Sequence, residues 1–271
     1  LICFITNNPK MIHQPYYTID FTAVNCRFEV LINDIPVISL ETEGQMSPNV
    51  PINFGIFKSG KQNVVINLFP VSGQNIIDDK TKFEYVIKLF DVHGESFSHI
   101  KDCASSKIEI GQKVPDFKHS SSFEADISYE MISLENSKDL SLDLKNNISV
   151  ITEKLDLIYQ KINYSFANKQ YDSLFEMIKN REKNMAIAMY LSNADANARI
   201  NSLIADSQNG FSPMPLSQDK VLKIYGNGKL ATYKKNNGEP AFFLFNPNTG
   251  EELMLELMFH IPNGKNEFEV I

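Results

Sequence analysis

Glu256 and His260 are the residues in this chain whose types and spacing most readily support chemistry. Both fall in the run Leu253–Ile261. If that run is one long strand, a side-chain period of two puts Glu256 and His260 on one face with Met254 and Met258. Leu253, Leu255, Leu257 and Phe259 then occupy the other face. A carboxylate and an imidazole in an apolar pocket form a candidate acid–base pair. Tyr171, Asp172 and Tyr225 are candidate neighbours. Together with Met254 and Met258 they are the candidate ligand-binding residues. The plainer reading puts Glu256 and His260 on a wet face, or joins them in one structural hydrogen bond. Arg181 and Glu182, in a helix, read as surface charges.

No sharper motif accompanies this pair. Gly226-Asn227-Gly228 lacks a third glycine and does not lead into a helix, so it is a hairpin turn and not a phosphate loop. The sequence has no GxSxG, HExxH or CxxC motif and no Asp-rich calcium loop. His93 and His99 match no metal-ligand spacing and, with His119, read as surface histidines. No metal or cofactor is expected. Cys3, Cys26 and Cys103 are too few for a disulfide scaffold. Cys26 and Cys103 are either a pair or two buried thiols.

The elements that must position these residues divide the chain. Tyr16–Phe21 and Phe28–Ile32 are β-rich, and Asn33-Asp34 is a turn before Ile35–Ile38. Val64–Phe69 is a strand stopped by Pro70. Phe83–Phe90 and Phe123–Glu130 alternate. The small-residue clusters Ala104–Ser106 and Ser120–Ser122 read as loops. Residues 1–134 are thus expected to form an all-β sandwich domain, and the polar stretch 135–141 a linker. Residues 142–271 are expected to form an α+β domain, with helices first and an antiparallel curved sheet after them. Ile148, Ile151, Leu155, Ile158, Ile162 and Phe166 recur at steps of three and four, the mark of one helix face. A break falls at Asn168-Lys169-Gln170, and a second face begins with Tyr171, Leu174, Phe175 and Ile178. The apolar run Met185–Leu191 reads as buried helix. Ser192 with Asp195 opens a further helix that carries Ala196, Ile200, Leu203 and Ile204. Val221–Tyr225 and Lys229–Tyr233 form a hairpin, and Ala241–Phe245, Leu253–Ile261 and Phe268–Ile271 are the strands that follow.

Two resemblances follow from these patterns. Phe28–Val37, a strand–turn–strand, and Val50–Asn53 through Lys58–Ile66 resemble galactose-binding-like jelly-roll domains, in which the first turn is typically Asn-Gly. Here Asp34 stands in the glycine position. The resemblance implies a β-sandwich and raises carbohydrate binding near Asn33 and Gly44. Asn33 and Asn53 themselves read as turn residues. Ile158–Phe175, with a break before Tyr171-Asp172, resembles the first helical connection of NTF2-like domains. That likeness implies a cone with a concave sheet, which would make a pocket of Met254, Glu256, Met258 and His260.

The formal net charge of −7, without a basic run, makes nucleic acid and anionic membrane poor partners. No internal segment is apolar enough to span a bilayer, so no membrane insertion is expected. The opening Leu1–Ile5 is a first strand or the tail of a signal peptide, which leaves cytoplasmic and periplasmic locations both open. The favoured expectation is a non-enzymatic binding protein that recognises a protein partner, in the manner of bacterial immunity proteins. The alternatives are a small-ligand binder or a hydrolytic or isomerase-type enzyme using the cone pocket, and a carbohydrate-binding surface protein.

Overall fold

The computed structural model describes residues 12–271. The apolar opening Leu1–Ile5, with Cys3, lies outside them. Among the described residues the order is seven strands, three helices and seven further strands.

Strand β1 (Pro15–Ile32) organises the first part. The two runs read separately from the sequence are one strand of 18 residues. Its core-facing positions are odd at Tyr17, Ile19, Phe21 and Ala23, and even at Cys26, Phe28, Val30 and Ile32. The change falls at Asn25, whose φ of 48° is left-handed. Pairing with β2 (Ile35–Met46) shifts at the same place, between Val24 and Cys26. One extra residue at a bulge moves every later side chain to the other face. Asn is one of the few non-glycine residues that tolerate the left-handed region. The buried Thr81 hydroxyl donates to the Asn25 carbonyl at 2.6 Å and so satisfies it.

This inversion lets β1 run through a curled antiparallel sheet. Pro15–Val24 pairs with β5 (Lys82–His93), and Arg27–Ile32 pairs with β4 (Gly60–Phe69). The other edge of β1 carries β3 (Asn49–Pro51) and β2. With β6 (Ser96–Glu109) and β7 (Phe117–Ala125) the order is β6-β5-β1-β4-β7. Phe21, Phe28 and Phe83 meet inside the curl, with ring centroids 5.2 or 5.3 Å apart. Ala104–Ser106 and Ser120–Ser122 are not loops. They pair with β5 and β4, because a ladder is made by backbone groups and does not require large side chains. Cys26 and Cys103 are free thiols, not a disulfide, and burial pushes Cys26 up to about 12.

The helices are α1 (Leu144–Ala167), α2 (Tyr171–Ala188) and α3 (Asn193–Gln208). Along α1, Ile151, Leu155, Ile158, Ile162 and Phe166 are buried, while Ile148 is exposed. Ser192 caps α3 by accepting from the Asp195 N–H at 3.1 Å. Met185–Leu191 is only partly helical and partly buried: α2 stops at Ala188.

The later strands do not form the one curved sheet expected of them. They form two short sheets. The first contains β9 (Val221–Tyr225), β10 (Leu230–Lys234), β13 (Phe259–His260) and β14 (Glu269–Val270). The second contains β8 (Ser212–Pro213), β11 (Phe243–Asn246) and β12 (Glu251–Met254). Leu253–Ile261 is therefore broken between β12 and β13. At the break, Arg181 Nε donates to the Glu256 carbonyl at 3.0 Å, taking an acceptor that a continuous ladder would need. No helix among the described residues is long and apolar enough to cross a membrane.

The sheet and the helical part meet along a seam. Its central strut is Asn53, which is fully buried. Its Oδ1 accepts the Tyr17 N–H at 2.7 Å, and its Nδ2 donates to the carbonyls of Pro15 at 3.1 Å and Ala188 at 2.9 Å. One side chain thus joins β1 to the end of α2. The Asn33-Asp34 turn docks at the other end of the seam. Asp34, at φ 62°, accepts the Asn227 N–H through its carboxylate at 2.8 Å and the Gly226 N–H through its carbonyl at 2.9 Å. Glycine would relieve the backbone strain there but would lose the carboxylate contact.

Asn53→Ala takes the side-chain partner from the Tyr17 N–H and the Ala188 carbonyl, while the Pro15 carbonyl keeps the Tyr190 hydroxyl. At ~1 kcal/mol or more for each buried group left unsatisfied, the expected loss is about 2 kcal/mol, read as a lower urea midpoint with an unchanged slope.

Candidate functional site

A cavity of about 270 Å³ opens on the seam. One wall is Ile35–Ser39 of β2. A second is Phe54 and Phe57, in and after the short 3-10 turn Asn53–Gly55. The third is the Arg181, Asn184 and Met185 face of α2. Lys234 at the end of β10, with Glu256 and Met258 from the strand break, completes it. Each wall has a local cause. β2 faces the cavity because its hairpin with β1 is fixed by Asn33. That side chain donates to the Gly55 carbonyl at 2.9 Å and to Gln62 Oε1 at 2.7 Å. Asn184 is held by the main chain of Ile132, accepting its N–H at 2.8 Å and donating to its carbonyl at 3.1 Å. That bond pair fixes the cavity face of α2.

The lining is mainly apolar, with a charged end. Lys234 is 2% exposed, and its Nζ lies 2.5 Å from Glu256 Oε1. Arg181 donates to the Glu256 carbonyl and to the Glu182 carboxylate, and Glu182 Oε2 accepts from Arg199 Nε at 3.1 Å. Burial pulls the Arg181 guanidinium below its usual range, and Glu182 opposes that pull. The chain Arg199–Glu182–Arg181–Glu256–Lys234 has three cations against two carboxylates. Desolvating charges costs several kcal/mol per ion, and a well-packed apolar replacement is often as stable, or more so. Stability alone is therefore a weak account of the Lys234–Glu256 pair, in which the lysine is buried and the carboxylate partly exposed.

The structure brings together only some of the residues picked out from the sequence. Glu256 and Met258 line the cavity. His260 does not, because the break between β12 and β13 interrupts the alternation that would align it with Glu256. It is buried instead, with Nδ1 2.7 Å from the Ser137 hydroxyl. Met254 ends β12, paired with Phe243. Tyr171 donates to Ser207 Oγ at 3.4 Å, and Asp172 is exposed in the first turn of α2. Tyr225 donates its hydroxyl to Glu29 of β1, and burial and that carboxylate raise its pKa. It is a seam contact. Asn33 is tied into the fold through both ends of its amide, as a turn residue. His93 and His99 are exposed, the first beside the buried Asp91 and the second beside the exposed Asp102, and no metal-ligand cluster occurs among the described residues.

Arg181, Glu182 and Lys234 are the residues that the sequence reading missed. Arg181 and Glu182 are not surface charges: their side chains are 17% and 10% exposed. A signal was available. Leu174, Ile178, Arg181, Met185 and Ala188 recur at three- and four-residue steps, so Arg181 belongs to the inward stripe of α2. No family model, curated protein or solved structure matches the chain.

His260 carries a pH dependence. Burial lowers its pKa from 6.5, Glu269 opposes this and Lys265 assists it, and Nε2 has no partner among the described residues. The unfolded chain therefore binds more protons than the native one below the ordinary imidazole value. Stability is expected to fall as pH drops from about 6.5 toward the native pKa and to level off beneath it. In His260→Gln this part of the slope disappears, as urea titrations across that window will read.

Proposed function

We propose that the protein is a non-enzymatic binding protein of two domains, 1–134 and 142–271 joined by 135–141, and that the seam cavity is its ligand site. The observation that carries this reading is the charged pair Lys234–Glu256 at the end of a mainly apolar cavity. Pockets of this type, apolar with few placed polar groups, are the usual form of small-molecule sites. The division into domains is supported by two large hydrophobic clusters. One is built around β1, β4 and β5, the other around α1, α2 and the later strands. A smaller cluster of Leu31, Ile35, Tyr225 and Leu230 bridges them. The curled antiparallel sheet supports a jelly-roll-like first domain. The two short sheets give no support to an NTF2-like cone, and an acid–base role for Glu256 and His260 loses its basis because the two do not converge.

The test is a thermal-shift screen of small amphiphilic compounds against the full chain. Ligands of this site are expected to raise the melting temperature of the wild type and not of Ile38→Trp, which fills the cavity from β2. Compounds that stabilise both proteins equally would count against the seam as the site.

A protein partner is supported by a separate observation. Phe97 on β6 is 54% exposed and packs against Tyr16 and Phe90, with ring centroids 5.2 and 6.5 Å away. This aromatic patch on an acidic protein fits the surface of an immunity-type binder. On that reading, Phe97→Ser abolishes co-purification of a single partner from native extract, and Ile38→Trp does not.

A further inference from the structure

The charge and shape of the seam cavity point to one class of ligand. Its charged end has unused donors. Lys234 has three N–H groups and one acceptor among the described residues, Glu256, although the residue is almost wholly buried. Arg181 uses Nε on the Glu256 carbonyl and Nη1 on Glu182, which leaves Nη2 without an acceptor among the described residues. A buried ammonium with unmet donors is costly, and an anion placed there relieves the cost with charge-assisted hydrogen bonds. Of the side chains that line the cavity, Arg181 and Lys234 are cations and Glu256 is the carboxylate, so a monoanion balances them. A zwitterion would leave the excess in place, and an amine would enlarge it. Glu256 is the opposing group, but its side chain is 38% exposed and can be hydrated.

The rest of the cavity fixes the body of the ligand. Phe54, Phe57, Leu134 and Met258 present no charge. At ~30 Å³ for each water-sized unit, about 270 Å³ accommodates roughly nine non-hydrogen atoms.

We propose that the cavity binds a small amphipathic monocarboxylate, such as a medium-length fatty acid or an arylalkanoate. Its carboxylate sits on Lys234 and Arg181, and its apolar body lies against Phe54, Phe57 and Met258. This assignment rests on the reading of the cavity as a binding site and names what that site takes.

The experiment is calorimetric titration of the full chain at neutral pH with octanoate, octanol and octylamine, which share a tail and differ in head group. Octanoate is expected to bind at least about tenfold more tightly than the other two, the ratio that one charge-assisted hydrogen bond supplies. Lys234→Met is expected to remove that preference while octanol binding persists, and Glu256→Gln to tighten octanoate. Octanol or octylamine binding as tightly as octanoate overturns the carboxylate assignment and leaves the cavity as a binding site. Binding by none of the three removes both. Where Lys234→Met does not fold, Glu256→Gln carries the test, and unchanged or weaker octanoate binding in that variant overturns the assignment.

Discussion

The amide of Asn53 is the constraint on which the rest of the structure depends. The start of β1 and the end of α2 each bring backbone groups into the interior where no ladder or helix partner is available. A buried backbone group without a partner costs ~1–3 kcal/mol, so the two parts can close on each other only if something supplies donors and an acceptor together. Asn53 supplies an acceptor to Tyr17 and donors to Pro15 and Ala188. Its own carbonyl is taken by the Tyr129 hydroxyl at 2.7 Å, and the Tyr190 hydroxyl adds a second bond to Pro15 at 2.6 Å. The 3-10 turn, the first strand and the second helix are thereby locked at one junction.

The cavity follows from that junction. With the 3-10 turn fixed, Phe54 and Phe57 face α2 across a gap that neither element fills. β2 closes one side because its turn is held by Asn33 and docked through Asp34. The strand break at Leu255–Met258 closes another, and Arg181 stabilises that break by taking the Glu256 carbonyl. The residue that bonds the strand break is thus also one of the two cations that line the cavity. Architecture and electrostatics are coupled through a single guanidinium.

Local patterns were legible in the sequence wherever one face of an element meets one core. The face of α1 could be read position by position from Ile151 to Phe166, and the Ser192 cap and the hairpin through Gly226-Asn227-Gly228 were visible as turn and cap chemistry. Local patterns mislead where backbone pairing or a bulge, not side-chain type, decides the element. Tyr16–Phe21 and Phe28–Ile32 looked like separate strands because the bulge at Asn25 reverses their phase. The serine clusters looked like loops, although their backbones are paired. Leu253–Ile261 looked like one strand because its alternation continues through the break. Of the seven candidate residues, Glu256 and Met258 line the cavity, and His260 belongs to the interior beside Ser137.

By itself the sequence determined the strand-rich first part, the three helices, the later hairpins and the lack of any strong catalytic motif. These rest on periodicity, turn residues and caps, which act over a few residues along the chain. The tertiary structure alone decided which charges are buried and where a pocket lies. Arg181, Lys234 and Glu256 come from a helix, a strand and a strand break far apart in sequence. Each is unremarkable in its own window, and the chemistry arises from their meeting in a low-dielectric seam, where a charge must find a partner.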